Sequence, residues 1–280
     1  MGFGAMRLPQ TGPALVHDTQ PRDRGQAIAV LRKAIELGVN HIDTASFYFS
    51  PSRSANELIN SALSPYPDDL LIATKVGPSR DPSGHWRRGG VTPEDLRGQV
   101  EENLRQLGRD HLDLVYYRVT DGKAPIAPYF AALAELREAG LIRNLGISAV
   151  NAGHLADAQA IAPVTAVQNA YGLGFRPQQD ELIALCGEQG VNYVPFFSIA
   201  TSNRETGGTN EPLVLEAVAK AYEATPAQVR LAWTLARGPH VLVIPGTGDP
   251  RHLAENMAAA DLELSADDLR VLDAFHRNGL

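Results

Sequence analysis

Cysteine is almost missing from this chain. The one thiol, Cys186, has no partner, which excludes an internal disulfide framework and suits a reducing cytoplasm. It stands in the apolar helical stretch ELIALCGEQG and reads as a buried packing thiol. Long apolar runs are also lacking. Nothing approaches the roughly 18 residues of a membrane-spanning helix, and the opening MGFGAMRLPQ lacks the apolar core of a secretory leader. Basic clusters are scarce. Arg87-Arg88 is the densest, and the formal charge is −7, so neither nucleic acid nor an anionic membrane is expected as a partner. The eight histidines show no H-x-H or H-E-x-x-H spacing, so no metal is expected. His41, before a strand, and His154, on a helix, read as structural. No G-x-S-x-G is present, so a serine nucleophile is unsupported.

What the chain does have is alternation. A hydrophobic content of 44% is ample for a large core. Short β-branched runs are followed by segments with helical period. Strands are predicted over 2–6, from His41, and over 70–76, 112–118, 142–148, 164–171, 192–198 and 240–246. Each precedes a helical segment. The first helix carries Ala27, Val30, Leu31, Ala34 and Ile35 on one face and stops at Gly38. Thr92-Pro93-Glu94 reads as the N-cap and first turn of another, and Ser265 caps an extra terminal helix. Eight strand–helix units joined by right-handed crossovers close into a (β/α)8 TIM barrel, an α/β fold, here a single domain over 1–280. The doubly wound open sheet is the runner-up. It wants a Gly-rich turn opening a helix after the first strand, but GFGAM runs into a loop containing Pro9, Pro13 and Pro21.

In such a barrel the active site sits where strands end. The polar residues there are Asp43 and Tyr48 after the second strand, Lys75 on the third, Arg118 on the fourth, Ser148 on the fifth, and Gln168 and Asn169 on the sixth. Lys75 is the most informative. A lysine ending an otherwise apolar strand needs an anion, and Asp43 on the neighbouring strand supplies one. The pair is either a structural ion pair or a device acting on a third group. Tyr48 is the natural third group, because an ammonium favours the phenolate, lowers the phenol's pKa and suits it to general acid catalysis.

Taken together, GVNHIDTASFY, LIATKVG, LDLVYYR, LGIS, VQNAY and IPGTGDPRHLAENMAA resemble the aldo-keto reductase superfamily, from Gly2 to about Phe275. Within it the chain is most similar to the bacterial pyridoxal reductase group, on Ser64-Pro65-Tyr66-Pro67-Asp68-Asp69, Tyr193-Val194-Pro195-Phe196-Phe197 and Thr225-Pro226-Ala227-Gln228-Val229. The resemblance implies NADPH-dependent reduction, with NADH as the alternative, of a small aldehyde or ketone, pyridoxal being the leading candidate. It implies that Tyr48 protonates the carbonyl oxygen, that Lys75 held by Asp43 tunes Tyr48, and that Arg118 replaces the usual histidine as an oxyanion-stabilising cation. Gly4 and Met6 fall at the cofactor site. Ser148 and Gln168 match residues that hold the carboxamide, and Phe196 the ring that stacks on nicotinamide. Gly246, Thr247, Arg251, Glu255 and Asn256 match the adenosine-phosphate end, where a helix N-terminus and Arg251 meet a 2′-phosphate.

Three departures touch this floor. Ser148-Ala149 replaces the family's Ser-Asn, Ser198-Ile199-Ala200 replaces a Pro-Leu-Gly type turn, and Phe49 follows the tyrosine where glycine is usual. Phe47, Phe49, Trp86, Tyr117 and Phe197 are expected to line the substrate pocket. Trp86, in the polar loop DPSGHWRRGG, reads equally as a lid contact and as local packing, and Arg87 and Arg88 as a solvated pair. Relatives carry an N-terminal hairpin that plugs the barrel bottom ahead of the first strand; this sequence starts on that strand, so the hairpin is either absent or lies ahead of the recorded start. Long C-terminal loops often close the substrate pocket in the superfamily, whereas this sequence stops soon after its last helix, so an open pocket is expected. Besides the reductase, two readings stand: a repurposed barrel in specialised biosynthesis with impaired or no NADPH turnover, and a non-catalytic nucleotide-sensing subunit.

Overall fold

The computed structural model describes residues 1–16, 19–87, 90–122, 124–199 and 211–278. Arg88 and Ala200 lie outside them. Among these described residues, seven parallel strands form one curled sheet in chain order: β1 (Phe3–Gly4), β2 (His41–Asp43), β3 (Leu71–Val76), β4 (Leu112–Arg118), β5 (Ile142–Ser148), β6 (Ala166–Gln168) and β7 (Asn192–Tyr193). Between and after them run α1 (Arg24–Glu36), α2 (Ala55–Leu63), α3 (Asp95–Leu107), α4 (Ala127–Glu138), α5 (Ala152–Gln159), α6 (Asp180–Glu188), α7 (Leu213–Ala221), α8 (Pro226–Leu235), α9 (Pro250–Ala258) and α10 (Ala266–Asn278).

The eighth expected strand, 240–246, makes no regular ladder, yet it spans the gap between β7 and β1. Tyr193 N–H donates to the His240 carbonyl (2.8 Å) and Leu242 N–H to Tyr193 (2.9 Å), while Gly2 N–H reaches Val243 (2.9 Å) and Gly4 N–H reaches Pro245 (3.2 Å). The sheet is thereby closed into the (β/α)8 fold. Pro195 and Pro245 explain why the last strands are shorter than expected, since a residue without an N–H breaks a ladder. Closure also demands glycine. A Cβ on Gly4 would stand 2.6 Å from the Ile244 carbonyl oxygen, and one on Gly246 would stand 2.4 Å from that of Gly4.

Strand side chains alternate between two environments. Ala73, Leu114, Tyr116, Ala166, Val194 and Ile244 form the barrel interior. Ile42, Ile72, Val115, Tyr117, Leu145 and Ile147 belong to the larger layer beneath the helices. On α1, Ala27, Val30, Leu31 and Ala34 are buried in that layer, whereas Ile35 is half-buried. Helix starts carry real caps: Asp23 accepts from Gln26 N–H (2.8 Å), Thr225 and Gln228 form a capping box, as do Asn151 and His154, and Ser265 accepts from Asp268 N–H (3.1 Å). Thr92 does not cap α3 as expected. The helix begins two residues later, and Asp95 reaches back to accept from Thr92 N–H (2.8 Å). Cys186 is fully buried, and burial pushes its thiol up to about 12. Among the described residues no helix is long and apolar enough to cross a membrane.

Candidate active site

The C-terminal ends of β2 to β6 place Asp43, Lys75, Arg118, Ser148 and Gln168 around one axis. Strand register does this directly: Asp43 pairs with Ala73, Lys75 with Tyr116, Arg118 with Ser148, and Ser148 with Gln168. Lys75 Nζ donates to Asp43 Oδ1 (2.5 Å) and to the Thr44 carbonyl (2.9 Å). Gln168 Nε2 donates to the other carboxylate oxygen, Oδ2 (2.7 Å). All three side chains are buried. A buried ion pair of this kind holds its place only because each charge is also hydrogen-bonded. The ammonium sits 5.0 Å from the centre of the Tyr48 ring.

Tyr48 is 6% exposed. Burial, the largest influence, pushes its hydroxyl above the ordinary phenol range. The nearby charges of Lys75 and Arg118 pull it down, and Asp43 pushes it up. Lys75 therefore acts in the expected direction, but the net shift is upward, because desolvation of a phenolate outweighs the neighbouring cations.

A cavity of about 150 Å³ opens over these groups. Its walls include Gly4, Met6, Asp43, Phe47, Tyr48, Lys75, Trp86, Arg118, Phe196, Phe197 and Gly246, all expected from the sequence. Arg118 lies over the Phe196 ring at 4.9 Å. Phe47 meets Tyr48 edge-on (5.1 Å) and Trp86 at a tilt (5.7 Å). Trp86, 45% exposed, stands on the rim.

Two expected pocket residues are elsewhere. Tyr117 points into the helix layer and stacks on Tyr129 of α4, 4.8 Å between centroids. It neighbours Arg118 in sequence, so strand alternation turns it away from the cavity. Phe49 lies under the Arg80 guanidinium (4.5 Å) and lines a separate groove on the far side of Phe47. Arg7, Leu15, Ser198, Ile199, Ile244 and Pro245 complete the cavity. Of these, Ile244 was legible from its parity with Gly246, and Ser198 and Ile199 from their place after the seventh strand. Leu15 carried no signal.

Among the described residues, Ser148 Oγ and Gln168 Oε1 are buried without a hydrogen-bond partner. A hydroxyl and an amide oxygen left unsatisfied on adjacent strand ends are costly, and together they match the donors and acceptor of a carboxamide. Ala149 and Phe197 adopt positive φ, 60° and 67°, a conformation costing a non-glycine residue about 1–2 kcal/mol. Phe197 lines the cavity, and Ala149 directly follows Ser148 at the end of β5. Thr247, just ahead of α9, and Arg251, Glu255 and Asn256, on it, lie outside the cavity. Arg251 is exposed and clasped by Asp249, which accepts from its Nη2 (2.8 Å) and Nε (3.3 Å) while capping α9. That contact holds the Asp249 carboxyl at about 2.

The aldo/keto reductase family model matches residues 1–277. This chain belongs to the aldo/keto reductase family. Pyridoxine 4-dehydrogenase of Escherichia coli (strain K12) is 42% identical over 99% of this chain and 94% of its own length. An uncharacterised oxidoreductase of Schizosaccharomyces pombe is 36% identical over 98% of this chain and 85% of its own. Among solved structures, an aldo-keto reductase from Klebsiella pneumoniae in complex with NADPH superposes with a TM-score of 0.80 at 26% identity, covering 98% of this chain and 90% of that one. This aldo-keto reductase is accordingly an NAD(P)H-dependent oxidoreductase, in line with the leading sequence expectation.

Proposed function

We propose that this aldo-keto reductase reduces a small aldehyde or ketone to an alcohol with NADPH, and that Tyr48 is the general acid. The observation carrying this reading is the Lys75–Asp43 pair set beneath the Tyr48 ring at the floor of the cavity. When bound, the reduced nicotinamide supplies the hydride. The chain's own residues do the rest. Tyr48, kept protonated by burial, gives its proton to the carbonyl oxygen. Lys75 and Arg118 lower the cost of the phenolate left behind. Asp43 holds Lys75 in place and is itself held by Gln168. Arg118 offers guanidinium donors to the same oxygen.

Ser148 and Gln168 would take the cofactor's carboxamide through their two unsatisfied oxygens. Phe196 would supply a flat apolar face, and Gly246, Thr247, Arg251, Glu255 and Asn256 the phosphate end. NADH is the weaker alternative. A pyridoxal-like aldehyde is the leading substrate, on the name of the Escherichia coli relative and on a cavity walled by Phe47, Trp86, Phe196 and Phe197 that suits a flat ring. The whole chain then serves as one barrel domain in the cytoplasm. The test is a panel of aldehydes led by pyridoxal, following loss of the reduced-nicotinamide absorbance at 1:1 stoichiometry with alcohol formed. Turnover supports the reading. Binding of NADPH with no turnover of any carbonyl would remove it.

A further inference from the structure

The guanidinium of Arg80 sits behind the cavity wall and is 7% exposed. It donates to four backbone carbonyls from three separate loops: Nε to Gly84 (2.8 Å), Nη1 to Phe47 (3.2 Å) and Phe49 (2.8 Å), and Nη2 to Val16 (3.0 Å). Its flat faces cover the rings of Phe49 (4.5 Å) and Trp86 (5.9 Å). These loops carry Leu15, Phe47, Tyr48 and Trp86 to the cavity.

The bonds to Phe47 and Phe49 bracket Tyr48. The remaining backbone groups there are also committed. Tyr48 N–H donates to Ala45 (3.0 Å), and its carbonyl accepts from Ala55 N–H (2.9 Å). With the 47–48 and 49–50 peptides held by one rigid, planar cation and the 48–49 peptide held by Ala55, the backbone from which the Tyr48 ring projects has little freedom left. A loop residue that must meet its substrate within a fraction of an ångström needs such support. Lysine cannot replace this fork, since one ammonium has three donors and no plane.

Resting on the reductase reading above, we propose that Arg80 is a positioning residue for Tyr48, fixing the 47–49 backbone by its carbonyl contacts and tying the Leu15 and Trp86 loops to the same point. The test uses full-length Arg80→Lys and Arg80→Ala, alone and combined with Tyr48→Phe. Arg80→Lys should lower kcat for pyridoxal reduction about 10- to 100-fold, the cost of an ångström-scale misplacement, with NADPH stoichiometry unchanged by calorimetry. Added guanidinium ion should restore part of the rate to Arg80→Ala. The double variant Arg80→Lys/Tyr48→Phe should be no slower than Tyr48→Phe, because residues acting as a unit are not additive. Hydrogen exchange without substrate should show faster exchange at the Tyr48 and Ala55 amides in Arg80→Lys, with β3 and β4 amides unchanged.

The proposal is overturned if Arg80→Lys keeps wild-type kcat, if the two losses multiply, or if NADPH-binding stoichiometry falls in step with rate, which marks a folding defect. Unchanged exchange at Tyr48 and Ala55 overturns it without reference to activity. Should the wild type reduce no carbonyl, the reductase reading falls instead, and the exchange measurement still decides whether Arg80 holds Tyr48.

Discussion

Replacing Tyr48 by Phe removes one oxygen and keeps the ring's contacts with Phe47 (5.1 Å) and the Lys75 ammonium (5.0 Å). The fold should lose about 1 kcal/mol or less, the net worth of a single hydrogen bond. NADPH binding should be untouched, since the groups matched to the carboxamide are Ser148 and Gln168. The chemical step, however, loses its acid. General acid catalysis contributes roughly 10²–10⁴-fold, and each tenfold is about 1.36 kcal/mol, so the barrier should rise by about 2.7–5.4 kcal/mol. Steady-state kinetics on pyridoxal should therefore show kcat falling by at least about a hundredfold with KM little changed. The pH dependence carries a sign. Burial raises the folded-state pKa of Tyr48, so the protonated acid is present through neutral pH and lost only as pH rises above the ordinary phenol value of about 10. A kcat within tenfold of wild type, or an alkaline limb centred near neutrality that vanishes in Tyr48→Phe, would refute the reasoning.

Three further outcomes follow from the same geometry. Lys75→Met leaves the buried Asp43 carboxylate with Gln168 as its side-chain partner and should cost about 3–5 kcal/mol in urea denaturation; a loss below about 1 kcal/mol, the scale of an exposed pair, would contradict a buried, committed pair. Tyr117→Phe should leave kcat and KM within about twofold, less than one interaction's worth of energy, because Tyr117 packs on Tyr129 rather than facing the cavity; a large change in KM would return it to the pocket wall. Ala149→Asn should stabilise the chain by up to about 1 kcal/mol, a part of the left-handed cost of about 1–2 kcal/mol, because asparagine tolerates the φ of 60° found there. It should also tighten NADPH in calorimetry, and a lowered melting temperature would argue against it.

The barrel was legible because its strands and helices announce themselves by period, and because Asp43, Lys75, Arg118, Ser148 and Gln168 fall at strand ends. Strand alternation turns Tyr117 outward, because its neighbour Arg118 takes the inward direction, but its aromatic type alone suggests a pocket wall. The shortness of the last strands follows from Pro195 and Pro245, which the apolar pattern masks. The upward shift at Tyr48 was not legible, since the cost of burying a phenolate depends on how completely Phe47 and the cavity walls exclude water. Arg80 escaped for a different reason. Its partners are four backbone carbonyls, and no residue type marks a carbonyl. The roles expected at α9 rest on family motifs alone, and there Asp249 holds Arg251.

The most direct test of the account is titration of NADPH, and then NADH, into the purified protein while following tryptophan emission. Trp86 stands on the cavity rim, whereas Trp233 is fully buried against Tyr171 and His276, so the signal should come from Trp86 and be largely lost in Trp86→Phe. Saturable binding, tighter for NADPH than for NADH, is the predicted result. No binding of either nucleotide would contradict hydride transfer at this site and leave the barrel with a role other than carbonyl reduction.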